Sequence, residues 1–430
     1  MVYTRPVHPI GRWLGASAFR VALGLMTLLT WPGVSLAQLD ICGCTGHPQN
    51  RGAFDASNTA TYPPGTTRSG GILTVLLPHD GILMFSSFTA PPGFFVFFRH
   101  QLANDPANAP ATILVSGDVT ITGVVDVNGL DGSGGTSGLN GVGGLGGPGG
   151  FPGGDGAYPQ VNFSNNGGPG VGPGGGAGGT ASPLTVGRPA TFLGTRELLP
   201  LVGGAGGGGG ASNRDDCSAG GGGGGGGALL IAANGTLTIN GTIRAEGGFN
   251  GFPNNPTCAA AGGSGSGGAI RLLANTMTGN GSIFARGGNF LAPQAGAIRL
   301  EAFTNTLSAN NTTPVASRAP APGPLVNPLT PTVEITQVGG QTVPTPPQGA
   351  FRGIDVILPA PGPITVRLAT SGVPGGTAVH IIVKPRVGGA ALTTPVTLVN
   401  CTVAGDCAET VVVNLASGAH VIEAQATFQP

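Results

Sequence analysis

The chain has 430 residues, 40% hydrophobic and only 8% charged, with 18 basic and 18 acidic residues that leave no net charge. With Lys384 as its one lysine and no basic patch, it is not expected to bind nucleic acid or an anionic membrane surface. Glycine (83) and proline (38) make up about 28% of the sequence, a level at which disorder competes with folding, yet the length allows a buried core and two folded units.

Residues 1–37 read as a removed export signal. Arg5, Arg12 and Arg20 lead into an apolar run at 21–29, and Ser35-Leu36-Ala37 offers a small-x-small cleavage site. The run is shorter than the ~20 apolar residues of a membrane-spanning helix, so no membrane insertion is expected after its removal. Ile41 argues against a lipid anchor on Cys42, because lipid attachment wants a small residue there. Cleavage also removes Trp13 and Trp31, the only tryptophans, and with them the broadest platforms for sugars or single-stranded nucleic acid. The expected location is secreted or cell surface.

Residues 38–68 form a loop-like segment. From 69 to 310 the pattern predicts an all-β parallel β-helix, or solenoid, carrying a long glycine-rich insertion at 129–227. Short apolar runs at 72–77, 82–88, 94–98, 113–115 and 119–127 are bounded by Pro, Gly, Asn or Asp, as strands are. One alternation recurs three times and runs straight through a glycine: Val119, Ile121, Gly123, Val125, Val127; Leu237, Ile239, Gly241, Ile243, Ala245; and Met277, Gly279, Gly281, Ile283, Ala285. A hairpin at Asn240-Gly241 would send these apolar residues to both faces. A strand that bends at the glycine without reversing keeps them on one side, as a solenoid coil does. The starts Gly227-Ala228, Gly268-Ala269 and Gly296-Ala297 mark successive units of roughly 20 residues that gain stability by stacking.

The insertion holds 41 of the 83 glycines, with an unbroken period of three from Gly129 to Gly156. Three residues per turn is the repeat of the polyproline-II helix. A collagen trimer, packed polyglycine-II-like helices and a loosely ordered loop all fit this period. Only Pro148 and Pro152 fall in these triplets, which counts against collagen. The entropy lost in ordering glycine favours the loop.

Residues 311–330 read as a stiff proline-rich linker. Strand-like runs at 333–338, 354–358, 364–368, 378–383, 396–403, 410–415 and 419–428 then fit an immunoglobulin-like β-sandwich over 331–430.

Six cysteines in an exported chain favour disulfides. Cys401 and Cys407 bracket the tip of a strand pair and are expected to join. Cys217 and Cys258 lie in glycine-rich loops flanking the second coil, so a bridge between them closes about 40 residues, worth up to ~4 kcal/mol, and staples the loops to the solenoid. Cys42 and Cys44 stay unassigned, since joining cysteines two apart strains the bridge. No Cys-x-x-Cys spacing or nearby histidine supports zinc.

The charged residues on the coils are Asp118, Asp126, Arg244, Glu246, Arg271, Arg286, Arg299 and Glu301. Arg271 and Arg299 occupy equivalent places and can stack as a ladder. The charges read as singly scattered solvated positions, with no carboxylate pair sharing a register. Asn213-Arg214-Asp215-Asp216-Cys217 has oxygen donors for calcium, but a hydrophilic loop tip explains it better. Asp131 and Asp155 sit in Gly-Asp-Gly contexts without the nonapeptide spacing of calcium-binding solenoids. The histidines have no serine, cysteine or acid partner at a recognisable spacing. No catalytic residue, cofactor or metal ligand is assigned.

The stretch Gly117-Asp118-Val-Thr-Ile-Thr-Gly123-Val-Val-Asp126-Val, the glycine-rich sequence after it, and the repeats at Gly227-Ala228 and Gly268-Ala269 resemble a group of exported, glycine-rich bacterial proteins. The segments at 80–88 and 91–99 look like that group's entry segment. The group is uncharacterised, so the resemblance over residues 78–302 implies a secreted solenoid and carries over no catalytic residue. Residues 331–430 resemble the immunoglobulin-like modules of bacterial surface proteins at the level of fold. The expected function is a non-enzymatic secreted or cell-surface structural or adhesive protein, with extracellular polysaccharide or other surface proteins as partners. The competing reading is a β-helix carbohydrate-active enzyme, a polysaccharide lyase or hydrolase. Ice or surface binding by ordered glycine helices is a third.

Overall fold

A computed structural model describes residues 40–99, 108–158, 165–289, 294–325, 332–344, 347, 354–386, 391–402 and 406–426. The expected export signal lies outside the described residues. The fold is all-β, with 39% strand and 2% helix.

Two large sheets dominate. The first has nine strands: β1 (Ala53–Asp55), β4 (Ile82–Phe85), β5 (Ser87–Ala90), β7 (Ala111–Val115), β8 (Val119–Ile121), β10 (Ala228–Ile239), β12 (Ala269–Thr278), β14 (Ala297–Asn305) and β16 (Ser317–Ala319). The second has seven: β2 (Thr67–Ser69), β3 (Ile72–Leu76), β6 (Phe95–Arg99), β9 (Val124–Asp126), β11 (Thr242–Arg244), β13 (Ser282–Phe284) and β15 (Thr312–Thr313). Their pairings are parallel except β2 with β3, which is antiparallel.

The chain crosses from the first sheet to the second at Gly123, at Asn240-Gly241 and at Asn280-Gly281, bending without reversal. These bends stack on one another, and a Cβ at Gly241 would run into the carbonyl of Gly123 below it. On either side of each bend the alternating residues point inward. Val119, Ile121, Val125, Leu237, Ile239, Ile243, Met277 and Ile283 are all fully buried in one continuous core between the sheets. Burying a side chain of this size stabilises by about 1.5–3 kcal/mol, so the alternation itself holds the two sheets together.

The outer face of the first sheet is also covered. Ile41, Cys42 and Cys44 pack over Leu114, Leu230, Ala232 and Leu273, with Leu325 added from the far end. Asn234, buried on β10, fixes this cover. Its Oδ1 accepts from the Cys42 N–H (2.9 Å), and its Nδ2 donates to Asp40 (2.8 Å) and Thr45 (2.9 Å).

The described residues of the glycine-rich insertion, 129–158 and 165–227, are ordered, which corrects the loop expectation. It runs back and forth as extended segments whose backbone hydrogen bonds repeat every third residue. In the central segment Gly220, Gly221 and Gly222 donate to Ala260, Ser133 and Gly154, and Gly223, Gly224 and Gly225 repeat the cycle to Gly263, Leu130 and Phe151. The same segment accepts from Gly141, Gly144 and Gly147, from Gly204, Gly207 and Gly210, and from Gly248 and Gly251. It therefore has six neighbours, the packing of polyglycine-II-like helices, since a threefold helix makes no internal hydrogen bonds and turns each successive N–H toward a different neighbour. Residues 203–212 are surrounded in the same way by 151–157, 167–171, 176–179, 188, 220–226 and 263–266. Pairing nearly every buried N–H and C=O in this way offsets the entropy that favoured the loop.

Residues 332–426 form two antiparallel sheets around a second core. One orders β18 (Gln341–Thr342), β17 (Thr332–Val338), β19 (Gly362–Ser371) and β22 (Cys407–Leu415); the other orders β21 (Leu392–Thr397), β20 (Ala378–Pro385) and β23 (His420–Ala426). Two expectations need correction. Residues 354–358 are not a strand, although Val356 and Leu358 still pack on this core. The run expected at 396–403 is instead β21, where Pro395 is accommodated because the strand is an edge.

The expected 311–330 linker is not a free spacer up to residue 325. β15 pairs with β13, β16 pairs with β14, and Leu325 covers the first sheet; residues 326–330 lie outside the described residues. The antiparallel sheets are moored to the glycine stack. Arg386 Nε lies 2.6 Å from Asp155 Oδ2, and Lys384 donates to the Gly172 carbonyl (3.0 Å) while pairing with Glu423.

Candidate functional site

The outward residues of the second sheet form rows across the coils. Register places Phe97, Asp126, Arg244 and Phe284 side by side on β6, β9, β11 and β13. Two residues further on, in the next row, stand Arg99, Glu246 and Arg286. Arg99 reaches Asp126 at 3.4 Å, Arg286 pairs with Glu246, and the Arg99 and Arg286 guanidinium groups lie over Phe97 (5.2 Å) and Phe284 (4.2 Å). These charges are gathered into one patch, which corrects the expectation of single scattered positions. Parallel stacking brings together residues up to 187 positions apart, Phe97 and Phe284, and spacing along the chain gives no sign of it.

The patch is unusually dry for an outer face. The Asp126 side chain is 6% exposed. Burial pushes its carboxyl up, and the Asn128 N–H, Arg99 and Arg244 pull it back less. Burial likewise lowers Arg99 despite Asp126 beside it. Both shifts say that a 3.4 Å pair does not offset the loss of water around its partners. Arg244 Nε is buried without a hydrogen-bond partner among the described residues.

A second cluster lies on the first sheet. Arg271 and Arg299 are paired in register, as the ladder expectation had them. Glu301 sits between them, accepting from Arg271 Nε (2.9 Å) and Nη2 (3.2 Å), Arg299 Nε (3.2 Å) and the Gly323 N–H (2.6 Å). Arg271 is 1% exposed and also donates to the Leu325 carbonyl. This cluster lies beneath residues 323–325 and works as a clamp that fastens them to the coils.

Asp118 and Asp131 tie distant stretches of backbone together. Asp118 Oδ1 accepts from the Thr236 N–H (2.7 Å) and Asp131 Oδ1 from the Phe249 N–H (2.8 Å). Asp155 accepts from the Gly143 N–H and binds Arg386, so neither Gly-Asp-Gly context supplies a calcium ligand set. At the loop tip Arg214 pairs with Asp216 at 3.0 Å. Asp216 lies close to Cys217 and Cys258, and Asp40 to Cys42 and Cys44, but every one of these sulfurs is in a disulfide and has no thiolate to offer a metal.

The structure pairs Cys217 with Cys258 and Cys401 with Cys407. It also joins Cys42 to Cys44, the pair that the sequence left unassigned, with Cα atoms 5.1 Å apart. The Cys217–Cys258 bridge is buried with Ala157, Ala219 and Ala259 and ties two glycine-rich segments together. Replacing both Cys217 and Cys258 by serine is expected to cost roughly 2 kcal/mol, about half the loop-closure bound, because backbone hydrogen bonds already hold the two segments. Replacing Cys42 and Cys44 removes almost no loop entropy and is expected to cost well under that. Denaturant midpoints of the two double variants check the order.

No known protein family matches this chain, and no curated protein or solved structure matches it either.

Proposed function

We propose that this is an exported structural and adhesive protein of the cell surface or extracellular matrix, acting without catalysis. Its two parallel sheets are the walls of a β-solenoid, and residues 332–426 are an immunoglobulin-like module docked on the glycine stack. The observation that carries this reading is the glycine stack itself, a block of backbone hydrogen-bonded on all sides and continuous with the coils, suited to stiffness and display. Three disulfides and no free cysteine fit an oxidising compartment. Asp126, Glu246 and Glu301 are each engaged by arginine, which supports a structural role for them over acid–base work.

The test has two parts. The chain displayed on cells should raise their attachment to extracellular matrix, and amide exchange across 129–227 should be slow. Incubated with a panel of polysaccharides, it should release no new chain ends. Turnover that disappears in Asp126→Asn or Glu246→Gln would replace this reading with the carbohydrate-active enzyme. Thermal hysteresis in the same preparation would favour ice binding, for which the ordered stack meets the first requirement.

A further inference from the structure

The two sheets present unlike outer faces. The first is covered by residues 41–44 and Leu325, whereas on the second Ile72 and Phe95 remain 51% and 41% exposed. Next to these apolar positions runs the row Phe97, Asp126, Arg244, Phe284, one residue per coil. At about 4.8 Å per strand the two phenyl rings stand ~14 Å apart, with the charged pair between them.

The charges do not balance. Arg99 is taken by Asp126 and Arg286 by Glu246, which leaves Arg244, half-buried, as a third cation with no ion pair among the described residues. A guanidinium fork fits a carboxylate with two parallel hydrogen bonds. The Arg99–Phe97 and Arg286–Phe284 stacks wall the row at either end, and an extended glycan laid along it meets a new side chain at every strand. A peptide strand would need an open sheet edge for its backbone, and this surface is a sheet face.

We propose that the outer face of the second sheet, between Phe97 and Phe284, is a binding subsite for an acidic, carboxylate-bearing polysaccharide, with Arg244 receiving a uronate carboxylate. The inference rests on the adhesive reading and names the class of polymer it holds. Asp126 positions Arg244 from the neighbouring coil, and Phe97 and Phe284 flank the bound sugar rings.

The experiment is affinity electrophoresis of the folded full chain through gels containing polygalacturonate, neutral dextran or single-stranded DNA. Polygalacturonate should retard the chain and dextran should not. Arg244→Gln should weaken retardation roughly tenfold, Arg244→Lys should recover part of it, and Arg367→Gln on β19, away from this face, should match the parent. Unchanged melting temperature shows that Arg244→Gln still folds. Equal retardation of parent and Arg244→Gln, or equal retardation by DNA, overturns the site. A chain that still promotes attachment to matrix but ignores polygalacturonate sinks the subsite and leaves the adhesive reading standing. A chain that shortens the polymer, with Arg244→Gln impaired, keeps the subsite and sinks the non-catalytic reading.

Discussion

Gly222→Val is expected to cost at least ~3 kcal/mol, and to leave no folded protein if the remaining stability is smaller than that. Gly222 donates to the Gly154 carbonyl (2.8 Å) and accepts from the Gly144 N–H (2.8 Å), and a Cβ there would collide with the carbonyl of Gly207. The obstacle is backbone on a third neighbour, so no side chain can rotate aside. Overpacking a rigid interior costs about 1–3 kcal/mol. Parting two hydrogen-bonded segments adds about 1 kcal/mol for each bond lost. The comparison is Gly134→Ala, an exposed glycine whose Cβ would come no nearer than 3.2 Å to Phe252 O. There the reduced freedom of the unfolded chain offsets the contact, and the change should stay within ~1 kcal/mol. Circular dichroism melts of both variants, with amide exchange at 203–227, give the measurement. A wild-type midpoint for Gly222→Val would mean that the stack does not hold the fold together.

Much of the architecture is legible because it rests on short periods. Alternation through Gly123, Gly241 and Gly281 requires a bend and forbids a hairpin, since a one-residue change of parity would expose Ile243 and Ile283. The glycine at every third place likewise specifies a threefold helix. The period alone does not say whether such helices pack, because that depends on whether each finds six neighbours. The neighbours of residues 220–227 come from as far away as Val127 and Ala269. Site geometry was the least legible part. Asp126, Arg244 and Phe284 are separated by 118 and 40 positions, and the length of the insertion conceals their common row. Asn234 gave no signal, and the Gly-Asp-Gly context of Asp155 pointed to calcium rather than to Arg386, because an amide or a carboxylate that ties distant segments together has no sequence signature. Cys42–Cys44 went unassigned because strain was argued from sequence separation alone.

Replacing Glu301 by glutamine should cost ~3–5 kcal/mol, the usual consequence of leaving one partner of a buried pair uncompensated. Arg271 has no route to water, being 1% exposed beneath Leu325, and Arg299 stands beside it in register. Without the carboxylate two guanidinium groups face each other on adjacent strands. Arg271→Met together with Glu301→Gln should recover most of the loss, since the isolated buried charge is then gone and an apolar side chain fills the space. The pH dependence has a definite sign. Burial alone would raise the Glu301 carboxyl, but hydrogen bonds from Arg271, Gly323 and Arg299 outweigh it and hold the group below the ordinary carboxylate range. A carboxylate depressed in the folded state contributes stability at all pH above its unfolded value and loses it as pH falls through the folded value. Unfolding midpoints of the parent should therefore drop in acid, and the drop should shrink in Glu301→Gln. Because the pair fastens residues 323–325 to the last coils, amide exchange should quicken first in β14 and β16. Uniform exchange, or a Glu301→Gln midpoint equal to the parent's, would show that the terminal coils are sealed by their apolar core alone.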